Sequence, residues 1–66
     1  MKANRDKLER AFARACKRPH LLAMEVGIGR AAMDRVMAGL NVKPATLERV
    51  ACALGVDVTD IMQQEG

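Results

Sequence analysis

Four stretches of the chain repeat their apolar residues at helical spacing, and proline or glycine stands at or near every break between them. In residues 4–17, Leu8, Ala11, Phe12, Ala15 and Cys16 share one face, while Lys7, Arg10, Arg14 and Lys17 form a basic stripe on another. Pro19 suits the first turn of a second helix, where a missing N–H costs nothing; Leu22, Ala23 and Val26 give its inner face and Gly27 its stop, so residues 19–26 are helical. After the tight Gly27-Ile28-Gly29 connection, with Ile28 expected to plug the angle between helices, a third helix spans residues 29–38. It turns Ala32, Met33, Val36 and Met37 inward, leaves Arg30, Ala31, Asp34 and Arg35 outward, and ends at Gly39.

Asn41-Val42-Lys43-Pro44 is the clearest loop, and beyond it Leu47, Val50, Ala51 and Leu54 recur at i, i+3, i+4 and i+7 until Gly55. Val56 and Val58 are compatible with a strand. Thr59 followed by Asp60, Ile61, Met62 and Gln63 fits a capped last helix better. The expected architecture is therefore all-α, a compact five-helix domain occupying residues 1–66.

A chain of 66 residues has room for a single small core, because a domain of about this size buries only about 60% of the surface its unfolded form exposes. Phe12 is the lone aromatic residue, so Leu, Val, Ile, Met and Ala must fill that core, with Met24, Met33, Met37 and Met62 expected as packing residues. Cys16 and Cys52 match neither a disulfide framework nor a zinc spacing and are expected as free, buried thiols. Paired acid and base residues, a phosphate-binding glycine loop and a metal constellation are all missing from the pattern, so no enzyme, metal, cofactor or small-molecule ligand is expected. Neither a signal-like apolar run nor a membrane-length one occurs, which points to a cytoplasmic protein.

Charge changes the picture. Residues 1–35 hold nine Lys and Arg against four Asp and Glu, whereas residues 36–66 hold two against four, so a net charge of +3 conceals a strongly basic first half. Concentrated Lys and Arg on a very small protein are the footprint of a polyanion binder.

A glycine turn between two short helices already suggests a helix-turn-helix. The run from Pro19-His20-Leu21-Leu22-Ala23 through Val26-Gly27-Ile28-Gly29-Arg30 to Met37-Ala38-Gly39 resembles the helix-turn-helix of the phage repressor and Cro-like family (lambda-repressor-like, XRE). The fourth helix, closing on Ala53-Leu54-Gly55-Val56, is similar to that family's next helix. The resemblance covers residues 8–62 and implies a lambda-repressor-like domain that binds double-stranded DNA as a homodimer on a pseudo-palindrome. It also implies a transcriptional regulator, expected to be a repressor of phage, prophage or plasmid origin.

Position by position, the resemblance places Arg30 at the first base-reading site of the third helix, where arginine pairs bidentately with guanine, and Ala31 at the next, where a methyl can meet thymine. Arg35 becomes a base or phosphate contact. Lys43 and Asn41 become backbone contacts in the loop, and Lys17 and Arg18 accompany the N-terminus of the second helix at a phosphate. Val56, Val58, Ile61 and Met62 are candidates for the dimer surface, with core packing an equally good account of some of them. Pro19 departs from the family, which usually has a polar phosphate-binding residue there; Arg18 is a poor helix cap, and Leu21 and Ala38 stand where polar residues are usual. Leu21 and Pro19 favour a second reading, a protein-interaction module on the same fold that acts as an antitoxin-like or regulator-sequestering protein.

Overall fold

Asn4 begins the first helix by supplying an acceptor that the backbone lacks: its Oδ1 accepts the Lys7 N–H at 3.1 Å, and Asp6 adds negative charge to the first turn. The helix it opens, α1, spans Arg5–Ala15. In the computed structural model, which describes residues 1–63, there follow α2 (Pro19–Val26), α3 (Arg30–Met37), α4 (Pro44–Leu54) and a 3-10 turn at Val58–Asp60. Pro19 and Pro44 each occupy the first turn of their helix, as the sequence predicts.

Two helix ends fix the course of the chain. Gly27 adopts φ +74°, a left-handed conformation that costs glycine nothing, and the chain turns there so that the Ile28 N–H reaches the Ala23 carbonyl at 3.1 Å. Ile28 is half-buried against the core, in the corner expected of it. At the end of α1 the same left-handed position is held by Cys16 at φ 55°, the only non-glycine residue with positive φ among the described residues. The Lys17 N–H then closes back onto the Phe12 carbonyl at 3.2 Å.

Each helix buries one stripe: Leu8, Ala11 and Phe12 from α1, Leu22 and Ala23 from α2, Met33 and Val36 from α3, and Leu47, Val50, Ala51 and Leu54 from α4. Ala3 and Ile61 complete this core from outside the helices. α4 is the central element, packing against α1, α2 and the 3-10 turn, while α3 packs on α2. Burying a Leu or Val side chain fully contributes about 1.5–3 kcal/mol, so Leu8, Leu22, Leu47, Ile61, Val36 and Val50, all fully enclosed, dominate the stabilisation.

The expected fifth helix is only a 3-10 turn, and it starts earlier than Thr59. Asp57 is the cap, its side chain and that of Asp60 each accepting the other residue's backbone N–H in a reciprocal capping box. The chain cannot continue as helix because its next backbone groups are taken by the other end of the molecule. Met62 forms an isolated antiparallel bridge with Ala3, the Gln63 N–H donates to the Lys2 carbonyl at 2.7 Å, and the Asn4 N–H donates to the Ile61 carbonyl at 2.8 Å.

Burial differs from expectation at several side chains. Cys16 and Cys52 are exposed free thiols, not buried ones: Cys16 lies at a helix end, and Cys52 sits five residues after Leu47, off the buried stripe of α4. Met24 is 70% exposed because it follows Leu22 and Ala23 around the outer side of α2. Ile61, a candidate for the dimer surface or the core, is fully buried, and Val56, Val58 and Met62 are half-buried against the same core. No described helix is long and apolar enough to cross a membrane.

Candidate nucleic-acid interface

α3 is an exposed ridge between two grooves. With about 100° between successive residues, Arg30, Asp34, Ala38, Ala31 and Arg35 follow one another in that order across its outer face, and all are exposed. The middle of the ridge carries only methyl groups, those of Ala31 and Ala38, with an arginine on either flank. On the Arg30 side, a groove between α3 and the start of α2 is lined by Arg18, His20, Arg30 and Asp34. On the Arg35 side, a second groove is lined by Arg35, Asn41, Lys43 and Thr46 at the start of α4.

The N-termini of α2, α3 and α4 share an unusual chemistry. Arg18, Gly29 and Lys43 hold their N-cap positions, none makes a side-chain capping hydrogen bond, and no acidic residue lies in any of the three first turns. Each carries a cation instead: Arg18, Arg30 just inside the start of α3, and Lys43. A helix N-terminus already bears about half a positive charge and unsatisfied N–H groups, so these cations add to the field where a carboxylate would normally offset it. The contrast within the molecule is sharp. α1 and the 3-10 turn are capped by Asn4 and by the Asp57–Asp60 box.

Among the described residues Arg30 has no ion-pair partner, not even Asp34 one turn along, and Lys17–Glu25 is the lone salt bridge. That bridge removes Lys17 from the set of free cations. Its ammonium donates to the Glu25 carboxylate and to the Ala53 carbonyl, both at 3.1 Å, tying the end of α1 to α2 and α4. Of the sequence-derived candidates, the structure thus brings Arg18 and Arg30 to one side of α3, and Arg35, Asn41 and Lys43 to the other. Lys17 is directed elsewhere.

Arg35 and Asn41 are also engaged within the chain. An Arg35 Nη donates to the Asn41 carbonyl at 3.0 Å, and Asn41 Oδ1 accepts from the Met1 α-ammonium. The Asn41 Nδ2 donors make no hydrogen bond among the described residues and face solvent at the rim of the second groove. The clasp by residues 1–4 has no sequence signature, since its partners lie about 40 and 60 positions away and local periodicity carries no such information.

No group of three or more His, Cys, Asp or Glu side chains that could hold a metal ion occurs among the described residues. No protein family, curated protein or solved structure matches the chain.

Proposed function

We infer that this protein is a sequence-specific binder of double-stranded DNA, a small regulator of the helix-turn-helix kind in which α2 and α3 form the motif and α3 enters the major groove. The observation that carries the reading is the set of three uncapped helix N-termini, each with a cation, bordering one exposed helix. Leaving out a side-chain cap costs about 0.5–2 kcal/mol at Arg18 and Lys43 and only a few tenths at Gly29, and a phosphate oxygen supplies both the missing acceptor and the missing charge. Three such positions on either side of a ridge match two phosphate backbones flanking a groove.

The dimensions agree. An α-helix with its side chains is about 10–12 Å across and the major groove about 12 Å wide, so the fit is close and small side chains on the leading face help. Ala31 and Ala38 supply that smooth face, bringing the helix backbone near the base edges, with Ala31 placed to meet a thymine methyl. Arg30, unpaired and at the N-terminal end of α3, is then the principal base reader, suited to guanine O6 and N7. Arg18, Lys43 and the Asn41 amide hold the phosphates and set the register without reading sequence.

A ridge of eight residues covers one half-site, so a pseudo-palindrome read by two copies about one helical turn apart is the natural target. Occupying such a site next to a promoter blocks polymerase, which makes a repressor the simplest role, in keeping with the resemblance to phage repressors and Cro-like proteins. A protein-interaction role is the second reading, and Leu21 and Met24, 54% and 70% exposed on α2, favour it.

Selection from a pool of random duplexes tests the first reading. One short motif should emerge, and Arg30→Ala should lower affinity for it by about 1–3 kcal/mol while relaxing preference at a single base pair. A pool that never converges, with retention of a protein ligand through Leu21 and Met24, supports the second.

A further inference from the structure

We propose that Arg35 is a positioning residue, whose guanidinium fixes the loop of residues 40–43 and thereby sets Lys43 and the N-terminus of α4 against the phosphate backbone. The inference rests on the duplex-binding reading above. It differs from the role that the resemblance implies for Arg35, which is direct contact with a base or phosphate.

The loop is held from two sides. Arg35 grips it from α3 with both ends of the residue: its backbone carbonyl accepts the Leu40 N–H at 3.0 Å, and its guanidinium donates to the Asn41 carbonyl at 3.0 Å. Residues 1–4 grip it from the opposite side. The Val42 N–H donates to the Met1 carbonyl at 2.7 Å, and the Met1 α-ammonium donates to the Val42 carbonyl at 2.9 Å and to Asn41 Oδ1. Lys43, the N-cap of α4, comes directly after this doubly held segment, and its own carbonyl accepts the Thr46 and Leu47 N–H groups at 3.0 and 3.3 Å.

A loop so held loses little freedom when it meets a ligand, so the Lys43 ammonium and the Ala45 N–H in the first turn of α4 are presented in advance. Arg35 commits one of its five N–H donors to the Asn41 carbonyl, which holds the guanidinium beside the loop, and the base-reading load falls on Arg30. Reading and presentation are thus divided between the two arginines that flank the ridge.

Two measurements on Arg35→Ala decide the matter. In the free protein, hydrogen exchange at the Val42 amide should accelerate about three- to tenfold, the loss of one hydrogen bond, while the Leu8 amide in α1 stays unchanged. Unchanged Val42 exchange overturns the proposal whether or not the protein binds DNA. With the duplex found by selection, Arg35→Ala should weaken binding to matched and mismatched duplexes by the same factor. In the Lys43→Ala background it should add less than about a twofold loss, because the two residues act through one contact. Relaxed preference at one base pair, or a loss that multiplies fully with that of Lys43→Ala, shows direct contact and overturns it. Failure of the parent protein to prefer any duplex sinks the duplex-binding reading alone, and the exchange result still decides whether Arg35 holds the loop.

Discussion

The Lys17 ammonium lies 3.1 Å from both the Glu25 carboxylate and the Ala53 carbonyl, so one side chain pins the end of α1 to α2 and to the last turn of α4. It belongs to the scaffold rather than to the candidate interface. Lys17→Ala should therefore cost about 1 kcal/mol of stability, at the upper end for an exposed ion pair because the carbonyl is lost too. Urea unfolding measures this. The variant should retain the parent's salt dependence of duplex binding; a slope lower by about 0.9, the loss of one phosphate contact, would return Lys17 to the interface.

Arg18 sits at an N-cap, with φ −103° and ψ 142°, a conformation in which serine caps well. If the position is left uncapped for the sake of a phosphate, stability and affinity should move in opposite directions. Arg18→Ser is expected to raise stability by about 1 kcal/mol and to weaken every duplex similarly, with a shallower salt dependence. Unchanged duplex affinity in the stabilised variant would mean that the missing cap has nothing to do with binding.

At the end of α1, Cys16 holds a left-handed conformation that costs a side-chain-bearing residue about 1–2 kcal/mol, partly recovered through its stiffer unfolded chain. Cys16→Gly should stabilise the protein by about 0.5–1 kcal/mol, whereas Cys16→Val, β-branched at positive φ, should destabilise it. Thermal unfolding under reducing conditions ranks the three. Glycine less stable than cysteine would contradict the assignment of strain to this position.

Much of the fold can be read from local sequence, and these residues show where that reading stops. Pro19, Gly27, Pro44 and Gly55 mark helix ends through backbone preferences that operate within a single turn, so the bounds of α2 and α4 are legible directly. The buried stripes of α3 and α4 follow from spacing alone. Cys52 is exposed because its position lies off the stripe, and that outweighs the general tendency of cysteine to be buried. The last helix failed for a different reason. The backbone of residues 61–63 is claimed by residues 2–4, a pairing across the whole chain that no window can register. The same long-range clasp explains why the candidate interface was legible as a set of cations but not as a division of labour among them. Lys17 and Arg35 find their partners only in the folded molecule.

Ile61 makes the consequence measurable. The sequence leaves it between a dimer surface and the core, and it is fully enclosed in the structure. Ile61→Ala should cost about 2–5 kcal/mol, a large part of the stability of so small a domain, and the loss should not depend on protein concentration. A loss that appears only on dilution would mean that Ile61 holds two copies together instead.

The central claim is that α3 reads a duplex while three helix N-termini hold its phosphates. Its most direct test is a fluorescence-anisotropy titration of the parent protein against the duplex found by selection and against a scrambled duplex of equal composition, at two salt concentrations. The account predicts affinity about a thousandfold or more tighter for the selected duplex, with both affinities falling as salt rises. Equal, weak and steeply salt-dependent binding to both duplexes would contradict it, leaving only the attraction of a basic protein for any polyanion.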